Sequence, residues 1–305
     1  MKVWIVVPAA LIALPDSSDE RPVVICGRSG LPVTSRLSLR PDSLVDLAGP
    51  GLSSRVTVKE GLPMIERDID IATADGQMNT FIVHPEEGGP RPVVLFYMDA
   101  PGKRQELHDM ASRLATAGYY VILPNLYYRQ TREFDLYSGN PEHTMERLWD
   151  LMGSLNEDLI EADTAALFAY VDADPAADAT RVGCVGYCMS GPFAFAMACR
   201  YPERIRAAAS LYGVRLFGDG SPAALAERAK GELYFACAEH DEYAPKEMVD
   251  GLSAHLDAIG ANARIEWYPG THHGFAFPTR GEVYDREAAE RHWERLHALF
   301  QRNLA

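Results

Sequence analysis

The stretch Arg181-Val-Gly-Cys-Val-Gly-Tyr-Cys-Met-Ser-Gly-Pro-Phe-Ala-Phe-Ala-Met-Ala-Cys199 falls into three parts. Val182–Tyr187 suits a short buried strand, Cys188–Gly191 an abrupt turn, and Pro192–Cys199 an apolar helix. Cys188 stands at the turn, flanked by Gly186 and by Ser190-Gly191. A strand–turn–helix with a nucleophilic residue between small neighbours forces that side chain out over a sheet. A cysteine there also meets the partial positive charge of a helix N-terminus, which favours thiolate over thiol.

Outward from this turn the chain alternates between strand and helix patterns. Ile65–Ile71 and Met78–His84 alternate as strands around an Asp75-Gly76 turn, a hairpin signal. Pro92–Tyr97 reads as a buried strand, followed by the loop Met98–Arg104 and a helix over Gln105–Ala117. Tyr119–Pro124 is a strand that opens into the loop Asn125–Tyr137, and residues 141–173 carry one long helical pattern with a solvated acidic face. After the turn come strands at Ile205–Tyr212, Glu232–Ala238 and Ala263–Tyr268, a helix over 245–259 and a closing amphipathic helix over 282–303. Such alternation predicts an α/β fold with a mostly parallel central sheet and helices on both faces. Sites in these sheets lie at the carboxyl ends of the strands.

That rule selects residues. Cys188, Asp241 in Glu239-His-Asp-Glu-Tyr-Ala-Pro245, and His273 in Tyr268-Pro-Gly-Thr-His-His-Gly-Phe275 all sit on strand-end loops. Their chain order, nucleophile then acid then histidine, is that of the α/β-hydrolase fold. In this chemistry Cys188 attacks an acyl carbonyl, His273 shuttles the proton, and Asp241 orients the imidazole. Oxyanion donors are expected at the backbone of Met189 and in the Met98–Ala100 loop, with Asp99 its central residue. The loop Asn125–Arg132 leaves a strand end, so Arg129 or Arg132 is a candidate partner for a substrate carboxylate and Tyr127 a candidate donor. No cofactor is implied, because nucleophile, base and donors are all protein groups. The pair His272-His273 has no third ligand at suitable spacing, so no metal is expected.

At these residues the chain resembles the dienelactone hydrolase (carboxymethylenebutenolidase) family. The resemblance rests on Gly186-Tyr-Cys188-Met-Ser-Gly191, the Asp241-x-x-x-Pro245 turn and His273-Gly-Phe275, and covers roughly residues 64–303. It implies hydrolysis of a dienelactone-like ester or lactone through a thioester. Two positions depart from the family pattern. Ser190 stands where a second glycine is common. Met98 stands where the family's best-known members carry a glutamate that interacts with the resting cysteine, and Asp99 is the nearby carboxylate. The alternatives are a general carboxylesterase or thioesterase, and a catalytically silent ligand-binding or thiol-sensing protein on the same fold.

Composition bounds the rest. At 305 residues and 47% hydrophobic, with mean hydropathy −0.15, the chain is long enough for one large α/β domain. A net charge of −14 with no basic cluster argues against nucleic-acid binding. Five cysteines, Cys26, Cys184, Cys188, Cys199 and Cys237, have neither zinc spacing nor an even disulfide count, which points to a reduced, cytoplasmic setting. The apolar run 3–14 behind Lys2 outlines a signal-peptide core, but Pro8 interrupts it, no clear cleavage site follows, and it is too short to span a bilayer. A small-molecule ester is the expected partner, and the sequence does not separate monomer from homodimer. Composition changes near Met64, so residues 1–63 are read as an irregular N-terminal extension and 64–305 as the hydrolase domain. Met64 is an alternative start, and a full-length mass of the natively expressed protein would exclude it.

Overall fold

The computed structural model describes residues 64–305 throughout and, before them, six short strands. These are β1 (Trp4–Val7), β2 (Ala10–Ala13), β3 (Val23–Cys26), β4 (Pro32–Ser35), β5 (Leu44–Gly49) and β6 (Leu52–Thr57). The chain divides into two compact units, Met1–Pro63 and Met64–Ala305. Where irregular chain was expected, β1–β2, β3–β4 and β5–β6 pair as antiparallel ladders. Runs such as Trp4-Ile-Val-Val7 and Val23-Val-Ile-Cys26 have the β-branched composition that favours extended pairing.

The second unit runs β7 (Met64–Thr73), β8 (Gly76–Pro85), β9 (Arg91–Tyr97), α1 (Gln105–Thr116), β10 (Tyr120–Pro124), α2 (Met145–Gly153) and α3 (Glu157–Ala173). It continues with β11 (Ala177–Tyr187), α4 (Gly191–Arg200), β12 (Ile205–Leu211), β13 (Glu232–His240), α5 (Lys246–Ala258), β14 (Ala263–His272) and α6 (Arg286–Leu304). The eight strands form one sheet in the order β14-β13-β12-β11-β9-β10-β8-β7. Only β8 runs antiparallel to its neighbours, β7 and β10, and every other pair is parallel.

The near-continuous apolar strands are explained by burial on both faces. Along β11 the two-residue period is visible. A Cβ at Gly183 would fall 2.8 Å from Phe300 of α6, whereas the next residue, Cys184, points its thiol at the Ala194 carbonyl of α4, 3.4 Å away. Arg113 of α1 pairs with Glu290 of α6 on one face, and Arg200 of α4 with Glu157 of α3 on the other. Apart from Arg200 at its end, α4 is apolar and buried, while α6 turns Leu296, Leu299 and Phe300 inward.

The region read as one helix over 141–173 is two. Gly153 and Ser154 close α2, and Asn156 restarts the chain by accepting the Leu159 N–H at 2.9 Å as an N-cap. No helix among the described residues is long and apolar enough to cross a membrane.

Candidate active site

Cys188 lies at the end of β11 with φ +55°, in the left-handed region that a non-glycine residue enters only at a cost of about 1–2 kcal/mol. The neighbouring residues make the strained turn possible. A Cβ at Gly186 would meet the Ser190 carbonyl oxygen at 2.1 Å, so no larger residue fits the bend. One at Gly191 would lie 2.5 Å from Gly213 Cα, so this glycine admits the close approach of α4 to the segment after β12. Ser190, the departure from the family pattern, is structural. Its Oγ accepts the Tyr187 N–H at 2.9 Å and lies 2.9 Å from the Tyr97 carbonyl, to which it donates. The hydroxyl thus ties the elbow to the end of β9.

His273 and Asp241 come from the loops after β14 and β13. His273 Nδ1 is 2.8 Å from Asp241 Oδ2, and Asp241 Oδ1 accepts the N–H groups of Tyr243 and Ala244 at 2.9 and 3.0 Å. This carboxylate, 1% exposed, has its geometry fixed by backbone before it meets the ring. Tyr212 and Tyr243 contact the imidazole edge-on at 5.1 and 5.0 Å between centroids. His273 Nε2 is buried and has no hydrogen-bond partner of ordinary geometry among the described residues, with Cys188 close enough to influence the ring's titration. Burial disfavours the charged imidazole, but Asp241 and Cys188 outweigh it and raise its pKa to about 9. His272 turns away and sits against His240, 5.2 Å between rings. The other described thiols are different. Cys184, Cys199 and Cys237 are buried, and burial pushes each of them well above an ordinary cysteine.

The Met98–Ala100 loop approaches the elbow from β9. Tyr127 is fully buried, and its hydroxyl contacts both the Ala100 carbonyl at 2.9 Å and Met189 Sδ at 3.2 Å, so it braces this loop against the turn. Met98 and Asp99 are buried too. The Asp99 carboxylate is taken up by Arg104, with Arg280 3.8 Å away.

Cys188 and His273 open into a cavity of about 470 Å³ lined by Tyr137, Leu148, Trp149, Val214, Arg215 and Arg280, among others. Arg129 and Arg132 are absent from its lining. The loop after β10 turns back toward β7, where Arg129 makes a two-nitrogen pair with buried Asp163 and a further pair with Asp75, and Arg132 pairs with Asp70. The arginines at the cavity are instead Arg215 and Arg280. Neither stands near a recognisable motif. The apolar wall was legible, because Met145, Leu148, Trp149 and Met152 form an i, i+3, i+4, i+7 stripe on α2.

A parallel-rich sheet with a strained elbow after β11 and an acid–histidine pair on later strand ends defines an α/β-hydrolase. The chain belongs to the dienelactone hydrolase family, whose model matches residues 78–304. Several relatives carry the name "Putative carboxymethylenebutenolidase", two of them as follows. The Synechocystis protein is 27% identical over 77% of this chain and 96% of its own length. The Methylorubrum extorquens protein is 26% identical over 78% and 81% respectively. A solved "Putative Dienelactone Hydrolase" from Klebsiella pneumoniae superposes with a TM-score of 0.71 at 25% identity, covering 78% of this chain and 99% of that one. The protein is therefore a hydrolase.

Proposed function

We propose that Cys188, His273 and Asp241 act as a catalytic triad that cleaves a small ester or lactone through a thioester intermediate. The observation that carries this reading is His273 itself. Its Nδ1 is bound to a pre-organised carboxylate, and its Nε2 is buried beside Cys188 with no hydrogen-bond partner among the described residues. Against burial, Asp241 and Cys188 raise the imidazole so that it holds a proton for the leaving oxygen up to about pH 9, and the nucleophile attacks in its thiolate form. The Cys188 sulfur attacks the acyl carbon, and the oxyanion turns toward Met189 N–H and the Met98–Ala100 loop. As the C–O bond breaks, His273 gives its proton to the leaving oxygen. The neutral ring then takes a proton from the water that attacks the thioester, and the thiolate departs as the acid is released.

Ester hydrolysis in general is favoured over dienelactone in particular by the loop beside the elbow. Met98 has no carboxylate to offer a resting cysteine, and the Asp99 carboxylate is engaged by Arg104. The free thiols suit a reducing, cytoplasmic setting. Turnover of a chromogenic short-chain ester before and after Cys188→Ala tests the nucleophile. Loss of turnover supports the reading, and unchanged turnover refutes it.

A further inference from the structure

Five large apolar side chains stand exposed among the described residues: Tyr137, Met145, Trp149, Phe217 and Tyr243. Four of them, all but Phe217, line the cavity into which Cys188 and His273 open. Exposed apolar side chains scattered singly are ordinary, whereas a patch gathered around one cavity marks a binding site. The helix that carries half of this patch is fixed in place. Leu148 and Leu151 of α2 are buried, and Thr144 caps the helix by accepting the Arg147 N–H at 3.1 Å. Met145 and Trp149 are therefore presented from a set position. Tyr243 brings the patch to the catalytic pair, since its ring meets the His273 imidazole edge-on with 5.0 Å between centroids.

The charges around the site restrict what can occupy it. In this cavity Arg280 lies over Tyr137 and Phe277, with the Asp99 carboxylate 3.8 Å away. A second cavity of about 300 Å³ adjoins the first, shares Met152, Val214 and Arg215 with it, and is lined by Glu157 and Asp158. Those two carboxylates share the single Arg200 with Glu161, and Arg215 acts on Glu157 as well. Three carboxylates thus face two guanidinium groups there, so a substrate carboxylate meets repulsion.

This inference rests on the triad reading above. The leaving oxygen lies beside His273, which supplies its proton, and His273 lines the larger cavity and not the smaller. Attack by Cys188 forms the C–S bond. The C–O bond then breaks, and the alcohol takes the His273 proton and departs through the apolar cavity. We propose that the substrates are uncharged esters with a bulky apolar group on the alcohol side, and that Trp149 and Met145 are the specificity-determining residues that receive it.

The test compares kcat/KM of the full-length protein for methyl acetate, benzyl acetate and methyl phenylacetate. The last two are isomers that differ only in which side of the ester carries the ring. Benzyl acetate should exceed methyl acetate by roughly 10- to 100-fold, the worth of burying one aromatic ring. It should also exceed methyl phenylacetate. Trp149→Ala should cut the benzyl-over-methyl ratio several-fold, mainly through KM, and Trp149→Phe should restore part of it. Phe217→Ala, which removes the exposed ring outside the cavity, should leave the ratio as it is. Benzyl pentanoate should be turned over faster than benzyl hydrogen glutarate, which has a carboxylate in place of the terminal methyl. A benzyl-over-methyl ratio near unity, or one that survives Trp149→Ala, would overturn the proposal while a Cys188-dependent hydrolase remains. So would a preference for methyl phenylacetate or for the acidic ester. Activity that persists in Cys188→Ala would instead remove the triad reading beneath it.

Discussion

Asp99 and Arg104 form a buried ion pair in which two guanidinium nitrogens reach the two carboxylate oxygens, at 2.5 and 3.2 Å. Glu106 holds the same guanidinium at 2.7 Å and also accepts the backbone N–H and hydroxyl of Thr279, which ties α1 to the loop after His273. Burial works against the Arg104 charge, but the two carboxylates outweigh it and raise its pKa. Arg104→Met takes both short contacts from the buried Asp99 carboxylate and leaves it only Arg280, 3.8 Å away. Breaking one side of such a pair costs about 3–5 kcal/mol. Urea unfolding should show a lower midpoint at unchanged slope, and adding Asp99→Asn should restore part of the loss. A single variant as stable as the parent would exclude a structural role for the pair.

Ser190 offers a sharper test of the elbow. Ser190→Ala removes the acceptor for the Tyr187 N–H and the donor to the Tyr97 carbonyl, both buried at the end of the sheet. A buried polar group left unsatisfied costs about 1–3 kcal/mol. The variant should unfold at lower urea and hydrolyse esters more slowly, because the turn that presents Cys188 loses its tie to β9. Unchanged stability and rate would show that the glycine geometry alone holds the turn.

The acid–histidine pair makes a signed pH prediction. His273 titrates near 6.5 without its surroundings and near 9 within them, so the folded state binds this proton more tightly. Its stability contribution is therefore complete below about pH 6.5 and is lost as the pH rises toward 9. Acylation should fall on the alkaline side of about pH 9, where the ring no longer has a proton for the leaving oxygen. Asp241→Asn removes the strongest raising interaction, so the alkaline limb should move to lower pH. It should also cut kcat by roughly 10³- to 10⁴-fold through loss of the correct tautomer. A limb that stays in place in Asp241→Asn would assign it to another group.

The parts of this molecule legible in the sequence are those with local physical causes. Buried parallel strands need long apolar runs, so β9 to β13 stand out, and the elbow needs small residues around Cys188. Asp241 and His273 were selected because parallel strands all end on one side of the sheet, which brings distant loops together. What escaped depends on where a loop turns. Arg129 and Arg132 leave β10 at the right end of the sheet, but the loop folds back, and Asp163, Asp75 and Asp70 engage them. Arg215 and Arg280 reach the cavity from segments with no periodicity. The break between α2 and α3 was hidden by a helical pattern on both sides of Ser154-Leu-Asn156, although the Asn156 cap was a signal for it.

The most direct test of the central claim is intact-mass spectrometry of the protein quenched during turnover of a short-chain ester, followed by peptide mapping. The account predicts a single acyl group on Cys188, which disappears as substrate is exhausted and never forms in Cys188→Ala. An acyl group on any other residue, or full turnover by Cys188→Ala, would contradict it.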